Sequence, residues 1–190
     1  MERVEGQAKD QESLAKQALS WITCVKRPPT TLELQHALAV ELGRRELRRD
    51  NISDAEDIIS VCAGLVTVDE ESSVIRLVHY TTQEYLERTQ CNWFPEPESD
   101  ITTTCLTYLL FDAFEDGICH TDSEFDKSLQ LNPLYEYAAR SWGHHARKSS
   151  KLCHLFEEFA AYQAKAEAVS QALMVVKDYP EDLYIIVRCF

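Results

Sequence analysis

Residues Gly64 to Arg88, GLVTVDEESSVIRLVHYTTQEYLER, constrain this chain more than any other stretch. A glycine stop is followed by an apolar strand (Leu65, Val66, Val68), the acidic turn Asp69-Glu70-Glu71-Ser72-Ser73, and a second apolar strand (Val74, Ile75, Leu77, Val78) that ends at His79. Two short apolar runs around a polar turn predict a β-hairpin. Thr81-Thr82-Gln83-Glu84 has the spacing of a capping box, so a helix burying Tyr85 and Leu86 is expected to start almost at once. Helical patterns lie on both sides, which leaves this as the one place where the fold has to build a sheet.

Upstream, Leu14, Ala18, Trp21, Ile22 and Val25 recur at three- and four-residue spacing, the pattern of one buried helix face. Pro28 and Pro29 end that helix, since proline lacks an amide donor and clashes with the preceding turn. Thr30-Thr31-Leu32-Glu33 is a capping box that starts a second helix reaching about Leu42 and burying Leu34, Leu38 and Leu42. A linker with Arg44, Arg45, Arg48 and Arg49 follows. Ser53-Asp54-Ala55-Glu56, another capping box, opens a third helix carrying Ile58, Ile59, Val61 and Cys62, which Gly64 closes as a left-handed cap. Three helices and a two-stranded wing describe a winged helix, expected over residues 10–91 after an N-terminal tail of residues 1–9.

Residues 92–99, with Pro95 and Pro97 among acidic neighbours, read as a linker. Residues 100–177 then form an α-helical domain, so the expected class is mainly α. Ser99 or Asp100 caps its first helix, which runs so apolar through Ile101, Cys105, Leu106, Leu109, Leu110, Ala113 and Phe114 that burial on more than one face is expected. After a short helix over about 123–131, Asn132-Pro133 opens one that presents Leu134, Tyr137, Ala138, Ser141, Trp142 and His145 along one side. From Lys151 to Lys177 the longest helix is expected. Its Leu152, Leu155, Phe159, Tyr162, Ala166, Val169, Leu173 and Val176 alternate three- and four-residue steps as a heptad seam, which needs a partner helix. Residues 178–190 form an apolar tail with nothing obvious to pack on.

The formal charge of −13 gives the chain a field that repels phosphate backbones and anionic membranes. The third helix opens with Asp54, Glu56 and Asp57, and the wing tip carries Asp69, Glu70 and Glu71. A DNA-binding winged-helix regulator is the alternative reading, but both elements that would approach a groove are acidic. No phosphate loop, GxGxxG, HExxH or GxSxG element occurs. Cys119-His120 and His144-His145 are adjacent pairs whose side chains diverge on a helix, so no metal site and no nucleophile is assigned. The seven cysteines are scattered without ligand spacing and read as reduced core thiols. No run reaches the roughly 18–20 apolar residues of a membrane span. The charged N-terminus does not read as a signal peptide, so a cytoplasmic location is expected.

LVHYTTQEYL resembles the winged-helix motif of NACHT-type STAND ATPases, in which a strand-end histidine precedes a QEY or QEF helix. AKQALSWITCVKRPPTTLELQHALAV, GLVTVDEE and YAARSWGHHAR resemble more closely the segment between the NACHT ATPase and the ankyrin repeats in NLR-like proteins of filamentous fungi. That winged helix also carries the name of GPI inositol-deacylase, a label that implies no hydrolase in these residues. The resemblance covers about residues 1–175 and fades after Lys177. It implies a regulatory hinge in which the histidine matching His79 approaches the phosphates of ADP held by the NACHT domain. An imidazole suits that role as a hydrogen-bond donor near neutral pH. Read from the residues alone, His79 instead closes the hairpin-to-helix junction through Thr81 or Thr82.

The family's phosphate loop and Mg²⁺-binding acid are not in these residues, so no cofactor is expected in this chain, and ADP or ATP only in a full-length relative. Met1 falls where family members are mid-chain, as in a fragment, a truncated gene or a divergent gene model. The expected function is therefore a non-catalytic interaction module. Its expected partners are a NACHT domain and ankyrin repeats in cis, or another helix along the seam.

Overall fold

The structure, a computed structural model, describes residues 1–149 and 154–174. The first helices are α1 (Glu2–Glu5), α2 (Lys9–Cys24), α3 (Thr31–Ala39) and α4 (Ala55–Val61). The expected N-terminal tail is not separate from the domain. Val4 is fully buried, and the Gln7 amide donates to the Val61 carbonyl at 2.7 Å, so α1 closes the end of α4. The Thr30 box forms as expected, with Glu33 N–H donating to Thr30 Oγ1 at 3.2 Å and Thr30 N–H to Glu33 Oε2 at 2.8 Å. α3 stops at Ala39, which leaves Leu42 outside the helix and 67% exposed rather than in the core. The Ser53 box does not form; Asp54 precedes α4 without a side-chain cap bond. Both Ala63 (φ 53°) and Gly64 (φ 83°) take the left-handed turn after α4.

Strands β1 (Val66–Asp69) and β2 (Val74–Leu77) pair antiparallel, Val66 opposite Leu77 and Asp69 opposite Val74. The turn is held by the Asp69 carboxylate, which accepts from Ser72 N–H at 3.0 Å and Ser72 Oγ at 2.9 Å. A third segment, not expected from sequence, lies against β2. Thr31 N–H donates to the Ser73 carbonyl and Ile75 N–H to the Pro29 carbonyl, both at 2.9 Å, with Thr30 bridged to Val74. The two prolines that end α2 thus leave an extended stretch that covers the edge of β2. Helix α5 (Tyr80–Arg88) then packs Leu86 on the core. Tyr85, expected inside, is 38% exposed. This is a winged helix.

The stretch read as a linker is short and packed: α6 (Gln90–Trp93) leads to buried Phe94, and α7 (Pro97–Leu109) starts with proline at its first position. Neither Ser99 nor Asp100 caps it, because the helix begins before both. α7 is buried through Ile101, Cys105, Leu106, Tyr108 and Leu109, the multi-faced burial its composition predicts. It packs chiefly on α9 (Tyr135–Lys148) and also on α2 and on the helix over Leu155–Ala161. Ala113 and Phe114 lie in a separate 3₁₀ turn, where Phe114 stacks on Tyr135 at 4.3 Å. α8 (Asp122–Leu131) begins with a capping box between Thr121 and Glu124, and Asn132 ends α8 rather than capping α9.

The single long helix is corrected to two, α10 (Leu155–Ala161) and α11 (Gln163–Met174), broken at Tyr162. Two cations explain the break. Lys165 Nζ, on a residue only 2% exposed, donates to the Leu110 carbonyl at 2.5 Å, and Arg45 Nη1 donates to the same oxygen at 3.3 Å. That oxygen lies at the C-terminus of α7, where helix carbonyls are unpaired and the macrodipole is negative. Both cations also lie 5.1 Å from the centre of the Tyr162 ring. Seating Lys165 under the end of α7 requires α11 to turn away from the line of α10.

Candidate functional site

His79 lies between the last residue of the wing and the first turn of α5. Its backbone is extended (φ −132°), and its carbonyl accepts from Thr82 N–H at 3.0 Å and Gln83 N–H at 3.4 Å. The residue-level expectation therefore holds only through the main chain; the imidazole makes no cap bond. It is exposed, beside Tyr80 at 76% exposure and Val78 at 40%. The residue is thus open to solvent between an exposed aliphatic and an exposed aromatic neighbour.

The proposed seam is not one face. Phe159 and Val169 are buried within this chain, Leu155 and Ala166 are partly buried, and Tyr162 and Leu173 are 42% and 48% exposed. Leu152 and Val176 lie outside the described residues, as do residues 178–190. Phe159 meets the Trp142 edge at 5.9 Å, Trp142 stacks on Phe156 at 5.6 Å, and α10 packs on α7, so Phe159 already has its partners within this chain. The break at Tyr162 rotates the second half of the pattern away from the first.

A polar network at the junction of the winged helix with the later helices was not expected. His145 on α9 has no solvent exposure; its Nδ1 bonds Glu98 Oε2 in the first turn of α7 at 2.5 Å, and its Nε2 bonds the Tyr137 hydroxyl at 2.8 Å. With Nδ1–H donating to the carboxylate, Nε2 accepts from the phenol, and the phenol oxygen in turn accepts from Lys26 N–H at 3.2 Å. Lys148 Nζ reaches the other Glu98 oxygen at 3.2 Å. Around this line Trp21 packs on Tyr137 at 5.9 Å, and the Arg27 guanidinium lies 5.3 Å from the Tyr137 ring centre. Arg27 is itself held by Glu33, with bonds of 2.8 and 2.5 Å. Burial pushes the His145 pKa below the ordinary histidine value, although the Glu98 hydrogen bond and charge oppose it.

Both imidazole nitrogens and the phenol oxygen are bonded along this line, so it ties the end of α2 to α7 and α9. Tyr137, Ser141 and His145 stood out in sequence only as polar positions on an otherwise apolar helix face. Glu98 had no such signal. Cys62 and Cys105 are buried, and burial raises the Cys62 thiol to about 12. Cys91 is exposed, contrary to the core expectation. Cys24 accepts from the Gln90 amide at 3.3 Å. Cys153 and Cys189 lie outside the described residues. Among the described residues no cluster of metal-ligating side chains forms, and no helix is long and apolar enough to cross a membrane.

Residues 1–92 match the family described as GPI inositol-deacylase, winged helix domain. These 92 of the chain's 190 residues are similar to that winged-helix domain. The match ends within α6, just before the winged helix passes into α7. It includes α1, which the sequence expectation had set apart as a tail. Neither a curated protein nor a solved structure matches the chain.

Proposed function

We propose that this chain is a non-catalytic regulatory and interaction module in which the winged-helix domain and the helices after it move as one body. The observation that supports this most is the buried line Lys26–Tyr137–His145–Glu98, which ties the end of α2 to α9 and α7. A displacement applied at the wing would be passed through α2 to α7 and α9 without a hinge. In a longer protein carrying a NACHT nucleotide-binding domain, the exposed His79 ring would face the phosphates of bound ADP, and ankyrin repeats would follow the helical part. In this chain the contacts are with protein, no nucleotide is bound, and the location is cytoplasmic.

The test is direct. Purified chain titrated with ADP or ATP, with and without Mg²⁺, should give no heat of binding and no turnover. Labelled duplex DNA should show no salt-dependent affinity, because Asp54 just before α4, Glu56 and Asp57 in its first turn, and Glu70 and Glu71 at the wing are exposed. Turnover, or DNA binding that falls steeply between low and moderate salt, would overturn the proposal. Where a nucleotide-binding domain is joined to this chain, His79→Ala should speed ADP release while leaving the fold unchanged by circular dichroism.

A further inference from the structure

Two histidine–tyrosine pairs lie where the winged helix meets the helices after it. His36 of α3 bonds Tyr108 of α7, Nδ1 to hydroxyl, at 2.8 Å. His145 of α9 bonds Tyr137, whose hydroxyl in turn holds the Lys26 N–H at the end of α2. Both tyrosines are buried. In each pair the phenol oxygen already accepts a main-chain N–H, from Leu134 at Tyr108 and from Lys26 at Tyr137, so its own proton goes to the imidazole nitrogen. An imidazole that accepts there is neutral.

Protonation undoes this arrangement. The ring gains a second N–H that points at the hydroxyl, and a buried phenol proton loses its acceptor, a loss that buried polar groups tolerate poorly. Ser141, also bonded to Tyr137, would have to give up its own donation to take that proton. The charges facing His145 are Glu98 on α7 and His144 and Lys148 on α9, with the Arg27–Glu33 pair beyond Tyr137. Beside His36 the groove wall carries Arg45, Arg49, Glu46 and Asp112, two of each sign. Burial pushes both imidazoles below the ordinary 6.5, and at His145 it outweighs the pull of Glu98.

We propose that this joint is a proton-operated latch: His36 and His145 hold it closed while neutral, and their protonation releases α7 and α9 from α2 and α3. Once the joint is open, each ring stands in water and takes up a proton at its ordinary value. By linkage, the open fraction grows by up to about tenfold per histidine between about pH 7.5 and 5.5, and by up to about a hundredfold for the two together. The latch deepens the proposed function and rests on its one-body joint. A joint that ignores pH would sink the latch and leave that reading intact, whereas nucleotide turnover would sink that reading and leave the latch.

Amide hydrogen exchange on the full chain tests it. Two main-chain donors report on the joint: Lys26 N–H, 3.2 Å from the Tyr137 hydroxyl, and Asp112 N–H, 2.8 Å from the Arg45 carbonyl on the α3–α4 loop. Two report on either side of it: Ile75 N–H on the Pro29 carbonyl and Cys119 N–H on the Gln171 side chain. Corrected for the pH dependence of exchange itself, protection at Lys26 and Asp112 should fall by about tenfold or more from pH 7.5 to 5.5, while Ile75 and Cys119 remain the slower pair. Because the joint opens as a unit, His36→Gln and His145→Gln should each remove part of the fall at both reporters, and the double variant should remove it. Protection at Lys26 and Asp112 that does not change with pH, a fall that survives in the double variant, or Ile75 and Cys119 exchanging as fast as the joint at pH 5.5 would each overturn the proposal. Circular dichroism shows whether the variants fold. If either does not, nuclear magnetic resonance titration of the unaltered chain decides: both rings should titrate below 6.5, and an ordinary titration of either sinks the latch.

Discussion

An imidazole with no solvent exposure between a carboxylate and a phenol hydroxyl can carry one proton readily and a second only at the cost of desolvating a cation. For His145 that cost outweighs the help of Glu98, and its pKa falls; burial lowers His36 too. The ordinary value, 6.5, applies in the unfolded chain. Below that pH the unfolded state takes up protons that the folded state refuses, so stability is full above it and drains away as pH falls toward the folded values. Urea midpoints should therefore drop on acidification from 7.5 to 5.5, and His145→Gln should reduce the slope without abolishing it, since His36 remains. A His145→Leu chain leaves Glu98 and Tyr137 facing an apolar group and should lose about 2–4 kcal/mol at neutral pH. The backbone offers a change of opposite sign. Ala63 sits at φ 53°, where an L residue with a Cβ is strained by about 1–2 kcal/mol. Ala63→Gly relieves that at an unfolded-state entropy cost of about 0.4–1 kcal/mol, for a net gain of about 0.5–1 kcal/mol in urea unfolding.

Helix α11 shows how a local pattern can be correct in its parts and wrong in its length. The alternation of apolar residues from Leu155 to Leu173 does mark helices, but Lys165 and Arg45 both bond the Leu110 carbonyl, and that requirement bends the chain at Tyr162. Phe159 is consequently an internal residue and Leu173 a surface one. Phe159→Ala should cost about 3–5 kcal/mol, as for other buried aromatics. Leu173→Asp should stay within about 0.5 kcal/mol and leave the oligomeric state unchanged by sedimentation. If Leu173→Asp instead splits a dimer, the outer face is a seam after all. The exposed Arg45–Glu158 pair should show a coupling of no more than about 1 kcal/mol in a double-mutant cycle. The helices that sequence places well, α2 and α9, are those whose burial is decided by one apolar face. The capping expectations split in the same way. Thr30 caps because Glu33 is fixed by Arg27, while Thr81 does not because α5 begins earlier, at Tyr80.

One contiguous core runs from Val4 through α2, α7 and α9 to Ala172, with Phe94 buried where a linker was expected. The winged-helix family match stops at residue 92, yet Trp21 and the Lys26 N–H find their partner Tyr137 beyond it. Unfolding of the full chain should accordingly be one transition, with tryptophan fluorescence and helical circular dichroism coincident in urea. A piece ending at residue 92 should be several kcal/mol less stable or unfolded, since it exposes the α2 face that α7 covers. Two separate transitions in the full chain would mean that the junction is a hinge rather than a joint. Fold class, the hairpin, the capped start of α3 and the buried face of α9 were all legible from order along the chain, because each depends on neighbours within a turn or two. His145 with Glu98, Lys165 with Leu110 and Arg45 with Leu110 are 47, 55 and 65 positions apart. No periodicity relates residues at such distances; their pairing exists only once α7, α9 and α11 have packed, because buried polar groups take whatever partner the packing brings within reach.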